Sequence, residues 1–173
     1  MFVTDEKTFD RVIRDYYPRV VGYISLIHSA LDAQDIAQDI FATLWEKRRS
    51  IDFNDEQHLS AWLLRAAKTR SIDRLRRKSS SQTRFSDIRN SELEWIEDND
   101  AELFEKLGRK DLYDRILYLA DELPADRREV FRLSYVSLLS ARDISQITGF
   151  PLRTVENHLY QALKFLRGKI KSL

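Results

Sequence analysis

Residues 138–167 read LLSARDISQITGFPLRTVENHLYQALKFLR, and this stretch decides the fold of the second half of the chain. Ser140 and Asp143 have the spacing of a capping box, in which the serine hydroxyl accepts from a free N–H in the first turn of a helix. Gly149 suits the left-handed conformation that ends such a helix, because glycine has no Cβ to clash there. A proline then introduces a second helix. The stretch therefore predicts two short helices joined by a tight turn, as in a helix-turn-helix.

The second helix of this pair, predicted over residues 152–168, has one apolar and one polar side. At about 100° per residue, the apolar side carries Val155, Leu159, Ala162 and Leu166. The opposite side carries residues that can hydrogen-bond base edges or phosphates, namely Arg153, Asn157, Tyr160, Gln161 and Lys164. Insertion of this helix in the major groove of DNA would explain the polar side. An ordinary helical hairpin with a solvated surface is the alternative.

A second signal lies in residues 59–78, which predict a long, strongly basic helix. Residues 65–78 carry seven Lys or Arg and one Asp. The side chains that can neutralise phosphates are Arg65, Lys68, Arg70, Arg74, Arg76, Arg77 and Lys78. Trp62 on this helix and Trp45 before it can stack on nucleic-acid bases. A solvated basic surface and two tryptophans buried in the core are the alternatives.

The remaining sequence also predicts helices. Four Gly and three Pro in 173 residues are too few for the many turns of a β-sandwich or barrel. Thr4, Asp5 and Glu6 predict a helix start, and Pro18 should end or kink that helix. Further helices are expected within residues 20–28 and 31–49, and, after a polar loop at 50–58 and the basic helix, at about 111–121, 125–136, 140–148 and 152–168.

The charge distribution divides the chain. Residues 81–109 carry eight acidic and four basic residues, begin within a serine run and lack a clean period, so they predict a flexible acidic linker, either irregular throughout or partly helical. Residues 110–173 carry eleven basic and eight acidic residues. The sequence therefore predicts an all-α protein with two small helical domains, at residues 1–80 and 110–173, of which the second contains the helix-turn-helix.

Composition excludes several classes of protein. The chain has no cysteine, which rules out a disulfide scaffold and a thiolate metal site. Its start is acidic, and no stretch approaches the roughly 18 apolar residues that cross a bilayer, so we expect a cytoplasmic protein without direct membrane insertion. Each glycine stands alone, which excludes a phosphate-binding loop, and His28, His58 and His158 lack metal-ligand spacing. We therefore expect no enzyme, no cofactor, no metal and no small-molecule substrate.

Two parts of the chain together resemble a known family. The segments DAQDIAQDIFATLWEKR (32–48) and HLSAWLLRAAKTRSIDRLRRK (58–78) resemble the second conserved region of the sigma factors of bacterial RNA polymerase. Residues 119–167 resemble the fourth region. A chain with only these two regions and a short connector is similar to the extracytoplasmic-function (ECF) subgroup of the sigma-70 family. The resemblance covers roughly residues 5–78 and 111–170.

This resemblance implies partners. Core RNA polymerase would bind through its β′ clamp and β flap, and promoter DNA and an inhibitory anti-sigma protein are the other expected partners. The family's docking motif, D-x-x-Q-D/E, falls on one helix face, whose carboxylates could otherwise simply be solvated. The candidate polymerase-binding residues are Asp35, Gln38, Asp39, Phe41 and Trp45.

The resemblance also implies which residues contact DNA. The loop at 50–58 and the helix after it would capture and open the −10 promoter element. Candidates there are Arg65, Lys68, Thr69, Arg70, Asp73, Arg74, Arg76 and Arg77. The helix-turn-helix would read the −35 element in duplex form, with candidates Arg153, Thr154, Glu156, Asn157, His158, Tyr160, Gln161 and Lys164. The family often has Asn at the position of Thr69 and a basic residue at that of Glu156, so the resemblance does not give the promoter sequence.

Three rival functions fit part of the sequence. A helix-turn-helix regulator that binds DNA without polymerase would explain residues 110–173, but it leaves the helices within 31–78 without a role. A helical enzyme acting on nucleic acid lacks a catalytic constellation. A scaffold that does not bind DNA is disfavoured by the polar side of residues 153–164.

Overall fold

The structure of the chain is a computed structural model that describes residues 2, 4–81, 100–108 and 112–172. Every regular element in these residues is a helix, which confirms the all-α fold. The helices are α1 (Glu6–Ser25), α2 (Ala30–Glu46), α3 (Glu56–Ser81), α4 (Ala101–Lys106), α5 (Leu112–Ala120), α6 (Ala125–Tyr135), α7 (Ala141–Thr148) and α8 (Leu152–Lys171). Residues 82–99, most of the predicted linker, lie outside the described residues, as does the side chain of Lys78. The two domain boundaries stay a prediction.

Helix α1 begins as the sequence predicts but does not end at Pro18. The carboxylate of Asp5 accepts from the backbone N–H of Thr8 over 2.8 Å. Hydrogen bonds from the side chain of Thr8, and then from its backbone, lower the pKa of Asp5. The helix then continues through Pro18 to Ser25, so it does not end at Pro18, while a kink there stays a prediction. The separate helix expected within residues 20–28 is instead the last part of α1. Pro18 itself is exposed, while Val12 before it and Val20 after it are buried. Packing of these neighbours on the core outweighs the backbone hydrogen bond that proline removes.

Helices α2 and α3 complete the packing of the first half around α1. Helix α2 buries Ile36, Ile40 and Leu44 on one side. Helix α3 begins at Glu56, within the segment predicted as a loop, because the carboxylate of Asp55 caps it by accepting from the backbone N–H of His58 over 3.0 Å. Burial of one apolar side orients each helix and leaves its polar side outward.

The predicted helix-turn-helix is present as α7 and α8. The hydroxyl of Ser140 accepts from the backbone N–H of Asp143 over 3.1 Å, and Gly149 ends α7 with a φ of 79°. The hydroxyl of Ser145 donates to the carbonyl of Phe150 over 2.6 Å and fixes the turn. Both predicted caps are therefore confirmed. A small buried cluster of Val130, Ile144 and Val155 holds α6, α7 and α8 together.

One larger core joins the two halves of the chain. It contains buried side chains from α1, α2 and α3 together with side chains from α4, α5, α6 and α8. Helix α4 lies within the stretch predicted as a linker, and it contributes Leu103 and Phe104 to this core. In this structure, therefore, α4, α5, α6 and α8 share one core with the first three helices, whereas the buried Ile144 of α7 belongs to the smaller cluster.

Candidate nucleic-acid interface

The acidic face predicted on α2 is exposed. The side chains of Asp35, Gln38 and Asp39 lie three and four residues apart on the helix, and all three are exposed. Phe41 is instead 5% exposed and belongs to the core. The structure therefore brings the three polar candidates together on one surface and places Phe41 beneath it, where it supports the helix.

Trp45 lies beside this face in an aromatic groove. Its ring centroid is 4.9 Å from that of Phe9, and the guanidinium of Arg48 lies 4.1 Å above the indole. The groove has a volume of about 380 Å³ and is lined by Glu6, Phe9, Asp10, Phe41, Ala42 and Trp45. Trp62 on α3 is also half-buried and packs against the core. Both tryptophans are thus partly engaged by the protein itself, and stacking on bases stays a prediction.

Some cationic side chains of the basic helix α3 are exposed to solvent, and others contact α2. The candidates Arg65, Thr69, Asp73, Arg76 and Arg77 are exposed, and Lys68, Arg70 and Arg74 are half-buried. Arg70 donates to the hydroxyl of Thr43 over 2.6 Å, and Arg74 donates to the carboxylate of Asp32 over 3.1 Å. Two of the predicted DNA-contacting arginines therefore also fasten α3 to α2.

A cleft lies between the acidic face of α2 and the basic side of α3. It has a volume of about 280 Å³ and is lined by Ile36, Asp39, Thr69, Arg70, Asp73, Arg74 and Arg77. Two carboxylates and three guanidinium groups line one small space, and the field there can orient a phosphate towards the arginines. A candidate for polymerase binding and several candidates for DNA binding are therefore neighbours.

Helix α8 has the two sides that the sequence predicts. Val155, Ala162 and Leu166 are fully buried and Leu159 is half-buried, which confirms the apolar side. On the opposite side Arg153, Asn157 and Lys164 are exposed. The other candidates are half-buried, namely Thr154, Glu156, His158, Tyr160 and Gln161. His158 packs edge-on against Phe150, with 5.7 Å between ring centroids, so it also supports the turn.

The contacts of several residues near these surfaces were not predicted from the sequence. Thr43 and Asp32 hold the arginines of α3, and spacing along a single helix gives no sign of a partner on another helix. Arg167 is 4% exposed, and its guanidinium donates to the carbonyl of Leu26 over 2.9 Å. Its position next to Leu166, at the edge of the apolar side of α8, is the feature of the sequence that could have indicated its burial.

A metal site and a helix that could cross a membrane are both absent from the described part of the chain. Residues 2, 4–81, 100–108 and 112–172 contain no group of three His, Asp or Glu side chains placed to hold a metal ion. Within the same ranges, no helix has both the length and the apolar character needed to cross a membrane.

Comparison with known proteins matches both halves of the chain. The family model described as "Sigma-70 region 2" matches residues 12–81, which include α2 and α3. The family model described as "Sigma-70, region 4" matches residues 113–166, which include α7 and most of α8. The ECF RNA polymerase sigma factor RpoE of Cereibacter sphaeroides is 26% identical over 164 residues, which is 94% of this chain and 86% of the relative.

Other similar proteins cover nearly the whole chain. The ECF RNA polymerase sigma factor SigW of Bacillus subtilis is 25% identical over 179 residues, covering 98% of this chain and 92% of the relative. The RNA polymerase sigma-H factor of Pseudomonas aeruginosa is 27% identical over 179 residues, with 98% and 89% coverage. The similarity therefore extends over both matched regions and the stretch between them.

Proposed function

As the chain belongs to the sigma-70 family of RNA polymerase sigma factors, in its ECF group, we infer that it is an alternative sigma factor. It binds core RNA polymerase and directs promoter-specific initiation of transcription. The observation that carries this function is the presence of regions 2 and 4 in order on one chain. A regulator that binds DNA alone needs only the second of them.

Each matched region contains a surface suited to one part of the task. Region 2 presents Asp35, Gln38 and Asp39 as a docking face for the β′ clamp, next to the arginines of α3. In our proposal those arginines hold the phosphates of the −10 element while its strands separate. Region 4 places α8 in the major groove of the −35 element, with Asn157 towards the base edges, and contacts the β flap. The sigma factor itself performs no catalysis, because the polymerase supplies the chemistry.

The proposed partners also suggest a location and a regulator. Core polymerase and chromosomal DNA are in the cytoplasm, and we place the protein there. An anti-sigma protein would inhibit it by covering one or both surfaces. It would have to compete for the acidic face of α2 or for the polar side of α8, because these are the surfaces that polymerase and promoter need.

A test of this function lets the polymerase itself select the promoters. Pure protein and core polymerase are incubated with sheared DNA from the source organism, and the 5′ ends of the transcripts are sequenced. We expect discrete start sites that share two upstream elements and are absent with core polymerase alone. Transcripts with unchanged, dispersed start sites would contradict the proposal, and binding of DNA fragments without polymerase would instead favour the regulator.

A further inference from the structure

Two arginines of α3 are held against α2 by different kinds of partner. Arg74 forms an ion pair with the carboxylate of Asp32 over 3.1 Å. Arg70, one turn earlier on α3, donates to the hydroxyl of Thr43 over 2.6 Å. Within residues 2, 4–81, 100–108 and 112–172, Arg70 forms no ion pair. The charge of Arg74 is therefore balanced by a carboxylate, whereas the partner of Arg70 is neutral.

The hydroxyl of Thr43 has a fixed direction. It donates its proton to the backbone carbonyl of Asp39, one turn earlier on α2, over 3.0 Å. A hydroxyl has a single proton and two lone pairs, so this bond leaves only lone pairs for other contacts. Thr43 can therefore accept from the guanidinium of Arg70 and hold it in one orientation, and it adds no negative charge beside it.

The guanidinium of Arg70 lines the cleft of about 280 Å³ between α2 and α3. After donating one N–H to Thr43, an arginine keeps other N–H groups, which can bind a phosphate through two hydrogen bonds. The carboxylates of Asp39 and Asp73 line the same cleft and repel any anion that lies close to them. The orientation of Arg70 therefore decides how well the cleft accepts a phosphate.

Orientation in advance matters for a long side chain. A free arginine has many rotamers and loses them when it binds a ligand, which weakens the binding. A hydrogen bond that already holds the guanidinium in the bound orientation removes most of this loss. For a single side chain the gain corresponds to about three- to tenfold in affinity. The effect of Thr43 on the binding of a phosphate should have this size.

We propose that Thr43 is a positioning residue for promoter DNA. Its hydroxyl holds Arg70 in the cleft, where Arg70 binds a phosphate of the separated −10 strand, and Thr43 itself does not contact the DNA. Arg74 instead fastens α3 to α2 through Asp32. The identity of the bound strand rests on the proposed function, whereas the orientation of Arg70 by Thr43 is a property of the free chain.

The orientation of Arg70 can be tested in the free protein by NMR relaxation of the arginine Nε–H groups, with Arg70→Lys to identify the signal. We expect Arg70 to be ordered in the wild-type protein and in Thr43→Ser, which keeps a hydroxyl. Thr43→Val keeps the branched shape and removes only the hydroxyl. In that variant the order parameter of Arg70 should fall to about 0.6 or less, the range of flexible groups. An unchanged order parameter would overturn the proposal.

The effect on DNA is measured with core polymerase that carries each variant. The probe is the fluorescently labelled non-template strand of a promoter found by transcript mapping. We expect Thr43→Val to weaken binding about three- to tenfold, and Thr43→Ser to weaken it less than about twofold. Arg70→Ala should also reduce the slope of the salt dependence by about 0.7, the value for one phosphate on a single strand. Thr43→Val keeps every charge, so its slope should stay close to that of the wild-type protein.

A double variant separates positioning from a general structural role. If Thr43 acts through Arg70, Thr43→Val should have no further effect once Arg70 is replaced by Ala, and additive losses would overturn the proposal. Thr4→Val is the matched control, because the hydroxyl of Thr4 donates to the backbone carbonyl of Arg48 over 3.3 Å and that bond involves no guanidinium. It should keep the wild-type affinity. Circular dichroism of each variant confirms that helix content is kept.

A measurement without polymerase separates this proposal from the proposed function. If the wild-type protein does not bind core polymerase, the proposed function fails, and binding of labelled single-stranded oligothymidine by the free protein replaces the promoter strand. The same order of affinities is expected, because a phosphate contact does not depend on the base. Equal affinities of the wild-type protein and Thr43→Val, or no binding of oligothymidine by either, would overturn the role of Thr43.

Discussion

Arg70 of α3 donates to the hydroxyl of Thr43 on α2 over 2.6 Å, and that hydroxyl in turn donates to the backbone carbonyl of Asp39 over 3.0 Å. An arginine on the proposed DNA surface is therefore two hydrogen bonds away from the proposed polymerase-docking face. Because the connection uses the carbonyl of Asp39 and not its carboxylate, the docking side chains can be changed without breaking it.

The first prediction concerns polymerase docking. Replacement of both Asp35 and Asp39 by Ala removes two exposed carboxylates, while the carbonyl that holds Thr43 remains. We expect affinity for core polymerase to fall about tenfold or more, with unchanged helix content. The matched control replaces Asp114 and Glu129, two exposed carboxylates on α5 and α6. Equal affinities for the two double variants would show that the docking face is elsewhere.

The second prediction separates base reading from phosphate binding on α8. Asn157→Ala should cost about 1–3 kcal/mol on the cognate −35 duplex and much less on a scrambled one, because Asn can pair with adenine in the major groove. Lys164, two turns later, should contact phosphate only. Its replacement by Ala should weaken both duplexes similarly and reduce the slope of the salt dependence by about one. Binding is measured on both duplexes across a salt series, and equal losses for Asn157→Ala would refute base reading by this residue.

The third prediction compares two isoleucines of α7. Ile144 is 0% exposed between Val130 and Val155, whereas Ile147, three residues later, is 62% exposed. Ile144→Ala should reduce the free energy of unfolding by about 2–5 kcal/mol, because it leaves a cavity in a small cluster. Ile147→Ala should change it by less than about 0.5 kcal/mol. Urea denaturation of both variants measures the difference, and comparable losses would contradict the packing described for α7.

The fourth prediction gives opposite signs for two glycines that both have open space where a Cβ would lie. Gly149 has a φ of 79°, so Gly149→Ala should destabilise the protein by about 1–2 kcal/mol. Gly168 lies inside α8, where Gly168→Ala should stabilise it by about 0.5–1 kcal/mol. Thermal unfolding of the two variants should therefore shift in opposite directions. A gain in stability for Gly149→Ala would mean that the turn can adopt another conformation.

The features that the sequence predicted correctly are those determined locally. Ser140 caps α7 through a bond to a residue three positions away, and Gly149 ends it through its own backbone conformation. The apolar side of α8 follows from helical periodicity alone. The exposed face of α2 and the cations of α3 were also identified in this way, although their roles come from the family.

The features that were missed depend on distant partners. Helix α4 has six residues, too few for a periodic pattern, and it is stabilised when Phe104 packs edge-on against Tyr23 over 6.2 Å. The continuation of α1 through Pro18 depends likewise on burial contributed by other helices. Arg70 and Arg74 of α3 contact α2 because they donate to Thr43 and Asp32 there. These partners lie on another helix, so no pattern along α3 predicts the contacts.

The contact between Arg167 and Leu26 joins residues 141 positions apart in the chain. A ribosome adds about 5–20 residues per second, so Arg167 is made roughly 7–28 s after the carbonyl of Leu26 that it will meet. During this interval the first three helices can fold, because their contacts are mostly among themselves. The apolar surface that α8 will later cover is still exposed. Until α8 is made, each new molecule therefore exposes the apolar surface that α8 will cover, and chaperones and proteases can reach it. The speed of translation sets how long this exposure lasts.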